Sequence, residues 1–102
     1  PRGIMINLYT TCNKDLDTLR KLYADFYAEH PLSHVSETPI HLKQVTNTAK
    51  ALIHVDKHDD QVLVSCAIDN LLKGASGQAV QNMNLMFGFA ENTGLKLKGN
   101  YF

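Results

Sequence analysis

The segment from Asn70 to Gln78 gathers the side chains best suited to binding chemistry. Asn70 carries a donor and an acceptor on one amide. Lys73 adds a positive charge. Gly74 and Gly77 let a ligand or another domain approach the backbone. A strand ending at Asp69-Asn70 turns through small residues into a helix, and free amides at a helix start can hold an anion. The corner therefore reads as ligand-facing. Its glycine spacing matches neither the dinucleotide fingerprint nor the P-loop.

Other candidates carry less chemistry. His54 and His58 are four residues apart, but they fall on a strand and a turn, where that spacing does not align them. With Asp56, Asp59 and Asp60 they read as a solvated hairpin tip, not as a metal centre. His41, beside a loop and Lys43, carries no further mark. Cys66 shares an apolar strand face with Val62 and Val64 and reads as core. Cys12 stands before a helix start that can lower a thiol pKa, yet no base is paired with it. Both read as reduced thiols, and no residue here reads as catalytic.

The elements that must position the corner follow from periodicity. Residues 4–10 alternate, with Ile4, Ile6 and Leu8 opposite Met5, Asn7 and Tyr9, as in a half-buried strand. Asn13 is placed to cap a helix running to residue 29, with Leu16, Leu19, Leu22, Tyr23 and Phe26 on its core face. His30-Pro31 ends it. Residues 32–35 suggest a short strand, and 42–46 an extended or looped stretch. Residues 49–55 and 62–68 alternate on either side of a five-residue polar turn, Asp56 to Asp60, and predict an antiparallel hairpin. A terminal helix over about 75–88 carries Ala79, Val80, Met83, Met86 and Phe87 on one face, with Gly88 as its stop. The tail from Glu91 to Phe102 reads as irregular. The expected fold is α+β, a mostly antiparallel sheet with helices packed on one face.

At 102 residues the chain holds one domain. Ten Lys and Arg balance ten Asp and Glu, so charge makes no case for nucleic acid or an anionic membrane surface. No apolar run approaches the roughly 20 residues of a membrane span. No targeting motif stands out, and a cytoplasmic setting fits. The opening, Pro1-Arg2-Gly3-Ile4, enters a strand directly and reads as a piece of a longer protein.

The run Asp69-Asn70-Leu71, Lys73-Gly74-Ala75 and Gly77 to Gly88, followed by Glu91, Thr93, Gly94 and Leu95, resembles the end of the N-acetyl-γ-glutamyl-phosphate reductase family. Arg2-Gly3-Ile4 is similar to that family's Arg-Gly-Ile strand. Lys43, Val45, Thr46 and Asn47 follow its loop without the usual Arg-Gly pair. The resemblance implies an incomplete glyceraldehyde-3-phosphate dehydrogenase-like C-terminal domain, spanning 1–102 and serving substrate binding and dimerisation. The parent would use NADP(H) to reduce an acyl phosphate through a cysteine thioester. The family's cysteine and histidine motifs and its Gly-rich nucleotide turn are not among these residues.

Asn70, Lys73, Gly74 and Gly77 would then edge the cofactor, and Arg2 would approach the substrate's anionic groups. The resemblance further implies a homo-oligomer formed through the sheet, and a terminal helix packed on a nucleotide-binding domain. Alone, the chain would be inactive and bind no cofactor. The second reading is a self-standing small-molecule-binding or oligomerisation module of the same fold.

Overall fold

The computed structural model describes residues 2–99. Strand β1 (Ile4–Thr11) leads into helix α1 (Leu16–Phe26), a short strand β2 (Ser33–Ser36) and a 3-10 turn at Leu42–Gln44. Strands β3 (Ala51–His58) and β4 (Gln61–Ile68) follow, then a π-helical turn at Leu72–Ser76 and helix α2 (Gly77–Phe87). The sheet order is β1-β4-β3-β2. The β1–β4 and β3–β4 pairs are antiparallel, while β2 joins β3 in parallel. The architecture is therefore α+β with a mixed, mostly antiparallel sheet.

Register decides what each face buries. Leu8, Val64 and Val55 stand side by side, as do Ile6, Cys66 and Ile53. Helix α1 lies on this face, where Leu19 packs with Val55 and Val62, flanked by Leu16 and Tyr23. Arg20 Nε anchors the helix by donating to the Val55 carbonyl at 3.1 Å. A second cluster of Leu32, Ala49, Leu95 and Val80 seats α2 at the end where β2 and β3 begin.

Several expectations change. The α1 cap is Asp15, whose carboxylate accepts from Thr18 N at 2.7 Å. Asn13 lies too far ahead of the first turn to do this. The helix ends at Phe26, not residue 29, with Tyr27 capping it. Leu22 and Phe26 are 51% and 70% exposed, because the buried stripe is Leu16, Leu19 and Tyr23. The hairpin turn shortens to Asp59-Asp60, since pairing continues to His58 and Gln61. Asp59 takes the left-handed conformation (φ 54°) that a tight hairpin needs, and Asp tolerates it.

Strand β1 is exposed along its whole length, not half-buried, because it lies beyond the reach of α1. Cys66 is partly buried, one strand in from that uncovered edge. On α2 the inward stripe is Gly77, Val80 and Asn84, while Met83, Met86 and Phe87 face outward. Gly88 ends the helix in the left-handed region (φ 73°), as expected. Residues 95–99 are irregular. Earlier in that tail, residues 91–94 form turns, and its last residues, 100–102, lie outside the described residues, as does Pro1.

Candidate functional site

The corner after β4 is organised by Asp69. This carboxylate has no exposed side-chain surface and is held by four polar partners. One oxygen accepts from the Leu71 and Leu72 amides at 2.8 and 3.1 Å. The other accepts from the Asn47 amide at 2.7 Å and meets Arg2 Nη2 at 2.7 Å. Burial alone would push the carboxyl up. The three backbone donors and the Arg2 guanidinium outweigh it and hold Asp69 below its ordinary range. One side chain thus fastens the segment before β1, the loop before β3 and the turn after β4.

That turn does not offer the free helix N-terminus expected of it. The amides of Gly74, Ser76 and Gly77 donate to the carbonyls of Asp69, Leu71 and Leu72. Five-residue spacing makes this a π turn running straight into α2. The amides that begin the turn, at Leu71 and Leu72, are capped by Asp69 itself. An anion cradle of backbone amides is therefore absent from the start of α2.

The expected site residues divide by position. Asn70 Oδ1 accepts from Gly3 N at 2.6 Å, which binds the β1 entry to the corner. Among the described residues its amide nitrogen donates no hydrogen bond, so a donor remains for a ligand. Gly74 is exposed, and a Cβ there would find its nearest neighbour at 3.7 Å. Gly77 is buried, and a Cβ there would meet the Leu72 carbonyl oxygen at 2.6 Å. Its glycine serves close packing of α2 against the turn and Ala49.

Lys73 Nζ donates to Gln81 Oε1 at 2.6 Å, and Gln81 Nε2 donates to Glu91 Oε2 at 2.6 Å. Partial burial pushes the Lys73 ammonium down, and Glu91 partly offsets this. Arg2 is 32% exposed beyond its ion pair, and among the described residues its buried Nε has no hydrogen-bond partner.

Asn47, Asp69, Gln81 and Glu91 were not singled out as site residues by sequence reasoning. For Asp69 a local signal existed: an Asp two and three residues before amides in a turn is an Asx-type cap. Gln81 and Glu91 gave none, because their bond joins α2 to the tail. At the hairpin tip His58 and Asp59 make an exposed contact at 3.8 Å. Among the described residues no cluster of three or more His, Cys, Asp or Glu is placed to hold a metal ion. Among them, too, no helix is long and apolar enough to cross a membrane.

The sequence profile of a family described as the semialdehyde dehydrogenase dimerisation domain matches residues 1–70. The chain belongs to this family. Within the semialdehyde dehydrogenase dimerisation domain the match covers β1 to Asn70, so Lys73, Gly74, Gly77 and α2 lie beyond it. Curated relatives cover those residues too. The chain is 55% identical over 102 residues to an N-acetyl-γ-glutamyl-phosphate reductase of Phocaeicola vulgatus. It is 50% identical over 101 residues to that of Christiangramia forsetii and 51% identical over 102 residues to that of Flavobacterium johnsoniae. These alignments take in 99–100% of this chain. The chain spans about a third of the length of the relatives it matches, 31–32%.

Proposed function

We propose that this chain is the C-terminal substrate and dimerisation portion of an NADPH-dependent reductase. Its reaction is conversion of N-acetyl-γ-glutamyl phosphate to the semialdehyde, in arginine biosynthesis in the cytoplasm. The observation that carries this reading is identity near 50% across the whole chain with reductases of that name. The corner supports it chemically. When bound, the dinucleotide supplies a hydride. Asn70 would present its unused amide N–H to the cofactor's edge, beside the open backbone at Gly74. Lys73 brings positive charge to the same edge. Gly77 contributes by letting α2 start flush against Leu72 and Ala49. Arg2, steadied by Asp69, turns its remaining donors toward the substrate's anionic groups.

Two exposed apolar surfaces fit a portion of a larger assembly. Met86 and Phe87 on α2 are 80% and 68% exposed, where a nucleotide-binding domain would pack. On β1, Ile6 and Leu8 are 60% and 54% exposed, a surface suited to a second copy of the chain. Catalytic cysteine chemistry resides elsewhere in the parent, and this portion alone is inactive.

An NADPH titration of the purified 102-residue chain tests the reading, followed at the backbone amides of Asn70 to Gln78 by NMR. No localised change up to millimolar NADPH is the expected result. Saturable shifts at micromolar NADPH would replace it with a self-standing binding module.

A further inference from the structure

Lys73 and Glu91 are opposite charges joined by a neutral side chain. Gln81 donates from Nε2 to the Glu91 carboxylate and accepts at Oε1 from the Lys73 ammonium. This orientation of the amide is the one that satisfies both ends, because an ammonium only donates and a carboxylate only accepts. The result is a spacer. Among the described residues Lys73 and Glu91 do not form an ion pair, although both are half-buried in a place where pairing would be favourable.

Of the three Lys73 N–H bonds, one goes to Gln81. Lys73 sits on the π turn and Gln81 one turn into α2, so the arrangement is fixed by two helical segments and the tail. Asn84 holds that tail by donating to the Glu91 and Thr93 carbonyls, both at 3.0 Å. The position of Glu91 is therefore not left to a loose loop.

We infer that Gln81 is a positioning residue: it holds Lys73 and Glu91 apart and keeps the ammonium, with two N–H bonds in reserve, for phosphoryl oxygens of an anionic ligand. The inference rests on the reductase reading, and the ligand is either a phosphate of the dinucleotide or the acyl phosphate. Without the spacer, Lys73 collapses onto Glu91 and its charge is spent internally.

The test uses the full-length reductase that carries this segment. Gln81→Leu should raise KM about tenfold for one phosphorylated ligand while kcat stays within about twofold, the loss of one charge-assisted contact. A rise for NADPH assigns Lys73 to the nucleotide phosphates, and a rise for the acyl phosphate assigns it to the substrate. Adding Glu91→Gln should restore KM, because the competing charge is gone; a merely structural role for Gln81 would not be rescued this way. If Gln81→Leu fails to fold, Gln81→Glu is the near-isosteric substitute and should raise the same KM by placing a counterion directly on Lys73. Unchanged KM values, or a rise that Glu91→Gln does not reverse, overturn the inference and leave the reductase reading intact. A wild-type protein that does not reduce N-acetyl-γ-glutamyl phosphate with NADPH overturns the reading itself, and the inference with it.

Discussion

Arg2 Nη2 lies 2.7 Å from the buried Asp69 carboxylate, so the segment ahead of β1 is held by an ion pair to the far end of β4. Truncating either partner has different consequences. Asp69→Asn removes the charge while Arg2 and three amides still point at the site. Breaking a fully buried pair costs about 3–5 kcal/mol. Since Arg2 is 32% exposed, the expected loss is about 2–3 kcal/mol. Arg2→Ala leaves Asp69 with its three backbone donors and should cost only about 1 kcal/mol. Urea unfolding of the two variants checks the order.

Acid sensitivity follows from the same carboxylate. Its folded pKa lies below the ordinary 3.8. The stabilisation it gives is complete above that value and is lost as pH falls through the lower, folded one. Stability should therefore drop on acidification below about pH 4. Asp69→Asn should be weaker at neutral pH but flatter across this acid range. Denaturation midpoints from pH 6 to pH 2 would show a parallel slope in wild type and variant if Asp69 has no such role.

Gly77→Ala sets two effects against each other. Alanine raises helix propensity by about 1 kcal/mol. Its Cβ, however, would fall 2.6 Å from the Leu72 carbonyl oxygen and 2.8 Å from its carbon, and backbone does not yield cheaply. The clash should win, with a net destabilisation of about 1–3 kcal/mol. A rise in melting temperature would contradict the packing described for the π turn.

Strand β1 should mediate self-association. It is an edge strand with Ile6 and Leu8 both more than half exposed, the kind of edge that pairs with another chain unless covered. Ile6→Lys should weaken association at least about tenfold while changing monomer stability by less than about 0.5 kcal/mol. Sedimentation equilibrium at several concentrations measures the first and thermal melting the second.

Burial pushes the Cys66 thiol up. Less thiolate means slower alkylation. Iodoacetamide at pH 8 should modify Cys66 more slowly in the folded chain than in urea, as mass spectrometry of the digested protein would reveal. Equal rates would place this thiol in open solvent.

The strands and both helices were legible because alternation and 3.6-residue periodicity are local signals. What failed was the assignment of faces. Leu22 and Phe26 have helical spacing, but α1 is rotated so that Leu16, Leu19 and Tyr23 meet the sheet. Met83, Met86 and Phe87 form an apolar stripe that turns away from this domain's own core, and a single chain's pattern does not say whose core an apolar stripe serves. At the corner, Asn70, Lys73 and Gly74 stood out by type. The Asp69 hub did not, because its partners Arg2 and Asn47 are distant in sequence and meet only through the β1–β4–β3 register. The expected free helix start is a π turn instead, because the pattern of small residues after Lys73 does not reveal the five-residue hydrogen-bond spacing.

The placement of Asp69 also orders events during folding. Its carboxylate needs the second residue of the chain, the loop before β3 and the turn after β4 to arrive together. Closing such long loops is slow compared with forming a helix or a hairpin. The β3–β4 hairpin and α1 can each form from neighbouring residues, but the Asp69 corner exists only once the first and last strands of the sheet have found each other. A chain stalled before that step would show most of its secondary structure without the Asp69 junction, so protection of the Asn47, Leu71 and Leu72 amides from hydrogen exchange would lag behind circular dichroism in a refolding time course.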